Sequence, residues 1–196
     1  YIKKIIKIVK PKIYLNEKVI KVDQKKKFIK TIKNKKYNYD HLIFANHTNQ
    51  IKQILNRPER KQLKLLNVVK YQKNNITVHS DQNLMPKNFK NWSSWNYLYS
   101  NKKLVLTYWM NLLQKLSCKK KIFVTLNYDK IKQKNIIKKI SYEHPLFTNP
   151  LLKVDKISDA AQGINNIWFS GAWLGYGFHE DGVKSALKVR KLINAK

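Results

Sequence analysis

Four glycines, two carboxylates and three large aromatic residues crowd into Gly171–Val183, which reads Gly-Ala-Trp-Leu-Gly-Tyr-Gly-Phe-His-Glu-Asp-Gly-Val. The whole chain has only 5 glycines, so this concentration is local. Glycine reaches positive φ and lets backbone approach a ligand with no Cβ in the way. Glu180 and Asp181 stand where a helix would begin, the end of the macrodipole that favours acidic groups. Such a segment offers backbone N–H groups, gathered at a helix N-terminus, to a cofactor. An ordinary strand–turn–helix carries the same pattern with no ligand at all.

Other residue pairs could do chemistry. His79 and Asp81 share one face of an apolar run, the spacing of a base and its orienting carboxylate or of a hydrogen-bonded structural pair. His41 and His47 flank the run Leu42–Ala45, where capping and backbone hydrogen bonds are the expected duties. Trp92, Trp95, Tyr97, Tyr108 and Trp109 gather in the middle of the chain, as core or as an apolar pocket. No side-chain acid or base declares itself catalytic, and no metal-ligating cluster is expected.

These residues need elements to position them. Ile167–Ser170 has the composition of a buried strand. The stripe Val183, Ala186, Val189 and Ile193, flanked by Leu187 and Leu192, predicts a helix ending in Lys188, Arg190 and Lys191. Earlier, Tyr1–Val9 reads as a helix closed by Pro11, with short strands at Lys12–Leu15 and Val19–Val22. Lys27–Ile32 and Tyr37–Ala45 form a hairpin pattern, and the second run continues into what reads as a parallel strand. Helices are expected at Gln50–Leu55 and Glu59–Leu66. Ile76–Ser80, Ser93–Tyr99, Leu104–Met110 and Ile122–Asn127 are spaced as an antiparallel sheet. Lys130–Lys139 reads as a basic connector, and Ser158–Gly163 as a short helix and turn.

The segment Ile167–Ile193 resembles the C-terminal flavin-binding signature of the flavin-containing amine oxidoreductase superfamily, which includes amine oxidases and phytoene desaturases. Glu180, Val183 and Ser185 fall on the signature's positions. Gly171–Gly182 is similar to a bacterial subgroup of NAD/FAD-binding proteins. The resemblance to that subgroup extends through His79-x-Asp81, Leu84-Met85-Pro86, Ser94–Tyr97, Thr107–Asn111, Val124–Asn127 and Tyr142–Pro145. It implies an α/β (α+β) fold: part of a Rossmann-like FAD-binding domain (residues 1–56), an antiparallel-sheet substrate domain (57–155), and a C-terminal return to the FAD-binding domain (156–196). The implied cofactor is FAD, held by Val19, Ala45, Gly171, Ala172, Trp173, Tyr176, Gly177, Glu180, Asp181, Gly182 and Val183. The amides around Asp181–Val183 are expected to face the polar edge of the flavin ring. Trp95, Tyr97, Trp109 and Phe178 would line the substrate pocket. Ala172 departs from relatives that carry Asp or Glu there, and Asn75 stands nearest the lysine that many amine oxidases place by the flavin.

A complete member also carries a Gly-x-Gly-x-x-Gly turn for the flavin pyrophosphate, and no such turn occurs in this sequence. The resemblance thus implies the later portion of an FAD-dependent oxidoreductase. Its expected partners are a missing N-terminal FAD-binding segment or separate subunit and a small-molecule or lipid substrate, with a fatty acyl chain the subgroup's implication.

Composition limits the alternatives. At 196 residues with 43% apolar content, the chain can build a real core. The single Cys118 excludes an internal disulfide and fits a reducing cytoplasm. The net charge of +30 comes almost wholly from lysine, whereas nucleic-acid readers favour arginine forks. No specific nucleic-acid partner is therefore expected, and the acidic partner left open is an anionic membrane touched peripherally. The competing readings are a non-catalytic basic module on anionic membrane or RNA, and a non-functional remnant of the enzyme.

Overall fold

The computed structural model describes residues 2–100, 103–146, 148 and 154–195. The chain divides into two units. Residues 1–70 and 145–196 form the first, and the second is the inserted segment 71–144. The first unit is therefore discontinuous in sequence, as the α/β fold with an interrupting antiparallel domain requires. α3 (Arg60–Val68) packs on α5 (Val154–Ala161), both within the first unit.

In the first unit, α1 (Ile2–Val9) precedes β1 (Val19–Asp23), β2 (Phe28–Thr31) and β3 (Lys36–Asn38). These strands form an antiparallel meander, which β5 (Leu55–Asn56) joins by pairing parallel to β1. Lys12–Leu15 forms no strand. Glu17 holds the meander, its carboxylate accepting from Thr31 Oγ1 at 3.2 Å and Tyr37 Oη at 3.1 Å.

A second, smaller sheet is the one that matters for the glycine-rich segment. Here β4 (Leu42–Phe44) pairs in parallel with β11 (Ile167–Phe169), Phe169 standing opposite Phe44. The run read as a parallel strand is one. β4 leads into α2 (Thr48–Ile54), and β11 leads through a 3₁₀ turn (Ala172–Leu174) into α6 (His179–Asn194). Ile167, Trp168 and Phe169 are all buried, and Phe169 stacks on Phe44 with ring centroids 5.8 Å apart. This is the continuous apolar content expected of a strand covered on both faces.

The second unit is an antiparallel sheet in the order β10, β6, β9, β8, β7. Its strands are β6 (Lys70–His79), β7 (Trp95–Ser100), β8 (Lys103–Trp109), β9 (Phe123–Leu126) and β10 (Ile136–Leu146), with a single turn of helix, α4 (Met110–Leu113), after β8. Four of the strands answer the sequence expectation. The fifth, β10, replaces the later part of the expected basic connector. It is an edge strand, where lysines guard against pairing with another chain, and its burial pattern shows little alternation. Among the described residues no helix is long and apolar enough to cross a membrane.

Candidate functional site

The glycine-rich segment forms the corner where β11 leaves its sheet and α6 begins. Ser170 N–H donates to Phe44 O at 2.8 Å and extends the pairing with β4 by one residue. Ser185, in the second turn of α6, then ties strand exit to helix. Its hydroxyl donates to Gly182 O at 2.7 Å. With that proton committed, its oxygen accepts from Ser170 Oγ and from Gly171 N–H, each at 3.0 Å.

Asp181 organises the turn itself. Its Oδ2 accepts from the N–H groups of Tyr176 at 3.0 Å and Phe178 at 2.9 Å. A carboxylate at this helix position binds orphan donors and favours the positive end of the helix. Gly175 makes room for it, because a Cβ there would lie 2.5 Å from Asp181 Cγ. At Gly171 the backbone has φ +157° and a Cβ would lie 2.5 Å from Trp173 Nε1. These two glycines are required for packing within the corner, whereas composition alone suggested close approach to a ligand.

What the corner leaves over is informative. Trp173 is 3% exposed, yet its indole N–H has no acceptor among the described residues. Leaving a buried donor unsatisfied costs about 1–3 kcal/mol. Around it Tyr176 and Phe178 are exposed by 68% and 66%, and Val183 by 54%. The corner thus offers a buried donor, an apolar rim and the start of a sixteen-residue helix. That set suits a flat, largely apolar group with a polar edge, such as a flavin ring.

The structure brings Gly171, Ala172, Trp173, Tyr176, Gly177, Phe178, Glu180, Asp181, Gly182 and Val183 into this one corner. Ala45 follows β4 directly, at the C-terminal end of the parallel pair, where ligands of open α/β sheets bind. Val19 opens β1 in the other sheet of the unit. The expected direction of the helix amides needs revision. The N–H groups of Asp181 and Gly182 donate to Phe178 O at 3.1 and 3.3 Å, so they turn into the first helical turn. The bracing role of Ser185 was not foreseen, although its position in the signature had marked it.

In the second unit Trp95 and Tyr97 lie on the exposed face of β7, with Trp95 edge-on to Tyr108 at 5.0 Å. Trp109, the next residue along β8, points to the opposite face and meets Trp92 at 5.2 Å and Phe89 at 5.7 Å. The three residues expected to share a pocket wall are therefore divided between two faces of the sheet. Phe178 belongs to the first unit.

His79 and Asp81 are a structural pair. The Asp81 carboxylate caps a 3₁₀ turn by accepting from Asn83 N–H, and only the Asp81 backbone N–H reaches His79 Nδ1, at 3.1 Å. Nδ1 is thus the acceptor, and Nε2 carries the proton to Thr125 Oγ1 at 2.7 Å. Thr125 bonds Thr107 Oγ1 at 2.8 Å. Burial holds the imidazole below its ordinary pKa of 6.5, with the Asp81 charge opposing. His41 accepts the Trp168 indole N–H at 3.2 Å. His47 caps α2 through its carbonyl, which accepts from Gln50 and Ile51.

No family model and no curated protein matches the sequence. Solved structures share the fold. A putrescine oxidase variant from a redesign of cofactor binding superposes with TM-score 0.65 at 12% identity, covering 99% of this chain and 52% of that one. Reduced UDP-galactopyranose mutase gives 0.59 at 11% identity, covering 91% and 47%. A CLA-producing fatty acid isomerase from P. acnes gives 0.55 at 10% identity, covering 92% and 47%. The chain spans about half the length of these structures.

Proposed function

We propose that this chain is the later portion of an FAD-dependent oxidoreductase of the amine oxidase-like superfamily, and that Gly171–Val183 forms one wall of its flavin site. The observation that carries the reading is the corner between β11 and α6, with its unanswered Trp173 donor, in a fold shared with putrescine oxidase and UDP-galactopyranose mutase. FAD, when bound, supplies hydride acceptance. The protein groups supply position: Tyr176, Phe178 and Val183 border the ring, and Trp173 offers its N–H. A fatty acyl chain is the substrate we favour, from the sequence resemblance to the NAD/FAD-binding subgroup; a fatty acid isomerase is one of several structures that share the fold.

The pyrophosphate cradle belongs to another polypeptide segment. The outer edge of β4 fits such a partner: it has no paired strand among the described residues, and Ile43 is 49% exposed. An open edge presents unpaired backbone N–H and C=O groups, so a further parallel strand would complete this two-stranded sheet. Fluorescence titration with riboflavin and FAD tests both parts. Weak binding of the two ligands with affinities within about threefold is expected, since the wall touches the ring they share. A preference for FAD above about tenfold would place a pyrophosphate site within this chain and overturn the partner assignment. No binding of either would overturn the wall.

A further inference from the structure

The first helix presents an exposed apolar stripe beside a run of lysines. No residue of α1 is buried. Ile2, Ile5, Ile6 and Val9 recur at helical spacing, and they are exposed by 59, 52, 38 and 64%. On a wheel of 100° per residue they fill one arc of about 100°, while Lys3, Lys4 and Lys7 fill the opposite side. Ile8, 71% exposed, stands between Lys4 and the stripe, and Lys10 follows the helix end. Lys12 follows, and the first carboxylate of the sequence is Glu17. That carboxylate is occupied within the meander by Thr31 and Tyr37. Beyond Pro11 the apolar surface continues through Ile13, Tyr14 and Leu15, all exposed.

Charge complementarity distinguishes this surface from the open edge of β4. The β4 edge is a short apolar strand without lysine, suited to another strand. The α1 face pairs an apolar stripe with five lysines and no acid within its first sixteen residues. A helix of this kind lies in a bilayer interface, its stripe among the acyl chains and its ammonium groups at anionic headgroups. We propose that α1, extended by Ile13–Leu15, docks the protein on an anionic lipid surface. This assignment is independent of the flavin reading.

Co-sedimentation of the full chain with vesicles tests it. Binding to phosphatidylcholine vesicles containing phosphatidylglycerol is expected, and binding to pure phosphatidylcholine is not. The combined Lys3→Gln, Lys4→Gln, Lys7→Gln variant and the Ile5→Ser, Ile6→Ser variant should each weaken binding by about tenfold or more. Circular dichroism should show both variants folded, because α1 buries nothing. Loss of binding in the lysine variant alone would reduce the effect to polycation attraction and overturn the proposal. So would equal binding to neutral vesicles, displacement of the vesicles by RNA, or a dimer in solution that the isoleucine variant dissolves. Such a dimer would make a second copy the occupant of the stripe.

Discussion

Two regions bury polar groups in apolar surroundings, and they finish the task differently. In the second unit Asp81 N–H, His79, Thr125 and Thr107 form a continuous chain of hydrogen bonds across β6, β9 and β8. Each ring nitrogen of His79 has its partner. The donor left over on that face, Trp109 Nε1, sits among the edge-on rings of Trp92 and Phe89. At the corner between β11 and α6, Ser185 and Asp181 satisfy the backbone, but the buried Trp173 donor, packed against Gly171 in the segment that also holds exposed Tyr176 and Phe178, is left without an acceptor among the described residues. A closed polar chain fixes a fold. An incomplete one, beside an exposed apolar rim, is where a ligand can contribute.

The comparison can be broken from either side. Gly175→Val drives a branched side chain into Asp181 and should cost about 3 kcal/mol, read as a lowered midpoint in urea. Thr125→Val leaves the His79 Nε2 proton buried without an acceptor and should cost about 2 kcal/mol in the same measurement. Its counterpart at the corner, Asp181→Ala, releases two partly exposed amides and should cost about 1 kcal/mol. Phe178→Ala should change stability by less than about 0.5 kcal/mol while weakening riboflavin binding.

Titration separates the regions again. His79 has a pKa depressed below 6.5 by burial, so the unfolded chain takes up the proton first as pH falls. Its contribution to stability is full above pH 6.5, declines below it, and stops declining once the folded pKa is passed. Denaturation midpoints measured downward from neutral pH should show this slope, and His79→Gln should remove its share of it.

Much of this architecture was readable because it rests on local pattern. The apolar runs at Ile167–Phe169 and Leu42–Phe44 read as strands, of which the first is buried throughout and the second leaves Ile43 exposed, and the stripe Val183–Ile193 reads as a helix. What escaped depends on partners distant in sequence. β10 is a largely exposed edge strand whose burial does not alternate and which contains Pro145, so no strand period marks it. The junction near residue 70 is set by α3 packing on α5, ninety residues away in sequence. Lys12–Leu15 has strand composition but pairs with no strand, although Tyr14 packs on Tyr37 of β3 with ring centroids 5.3 Å apart. At the site, the side chains that Gly171 and Gly175 make room for were not legible in the sequence, and Trp95 and Trp109 fall on opposite faces because Trp95 stands opposite Tyr108 and successive strand residues alternate.

Indole N–H resonances of the five tryptophans, followed by NMR as riboflavin is added, test the central claim most directly. Trp173 Nε1–H should shift progressively together with the amides of Gly177 and Val183. An unmoved Trp173 resonance at saturating riboflavin would contradict it.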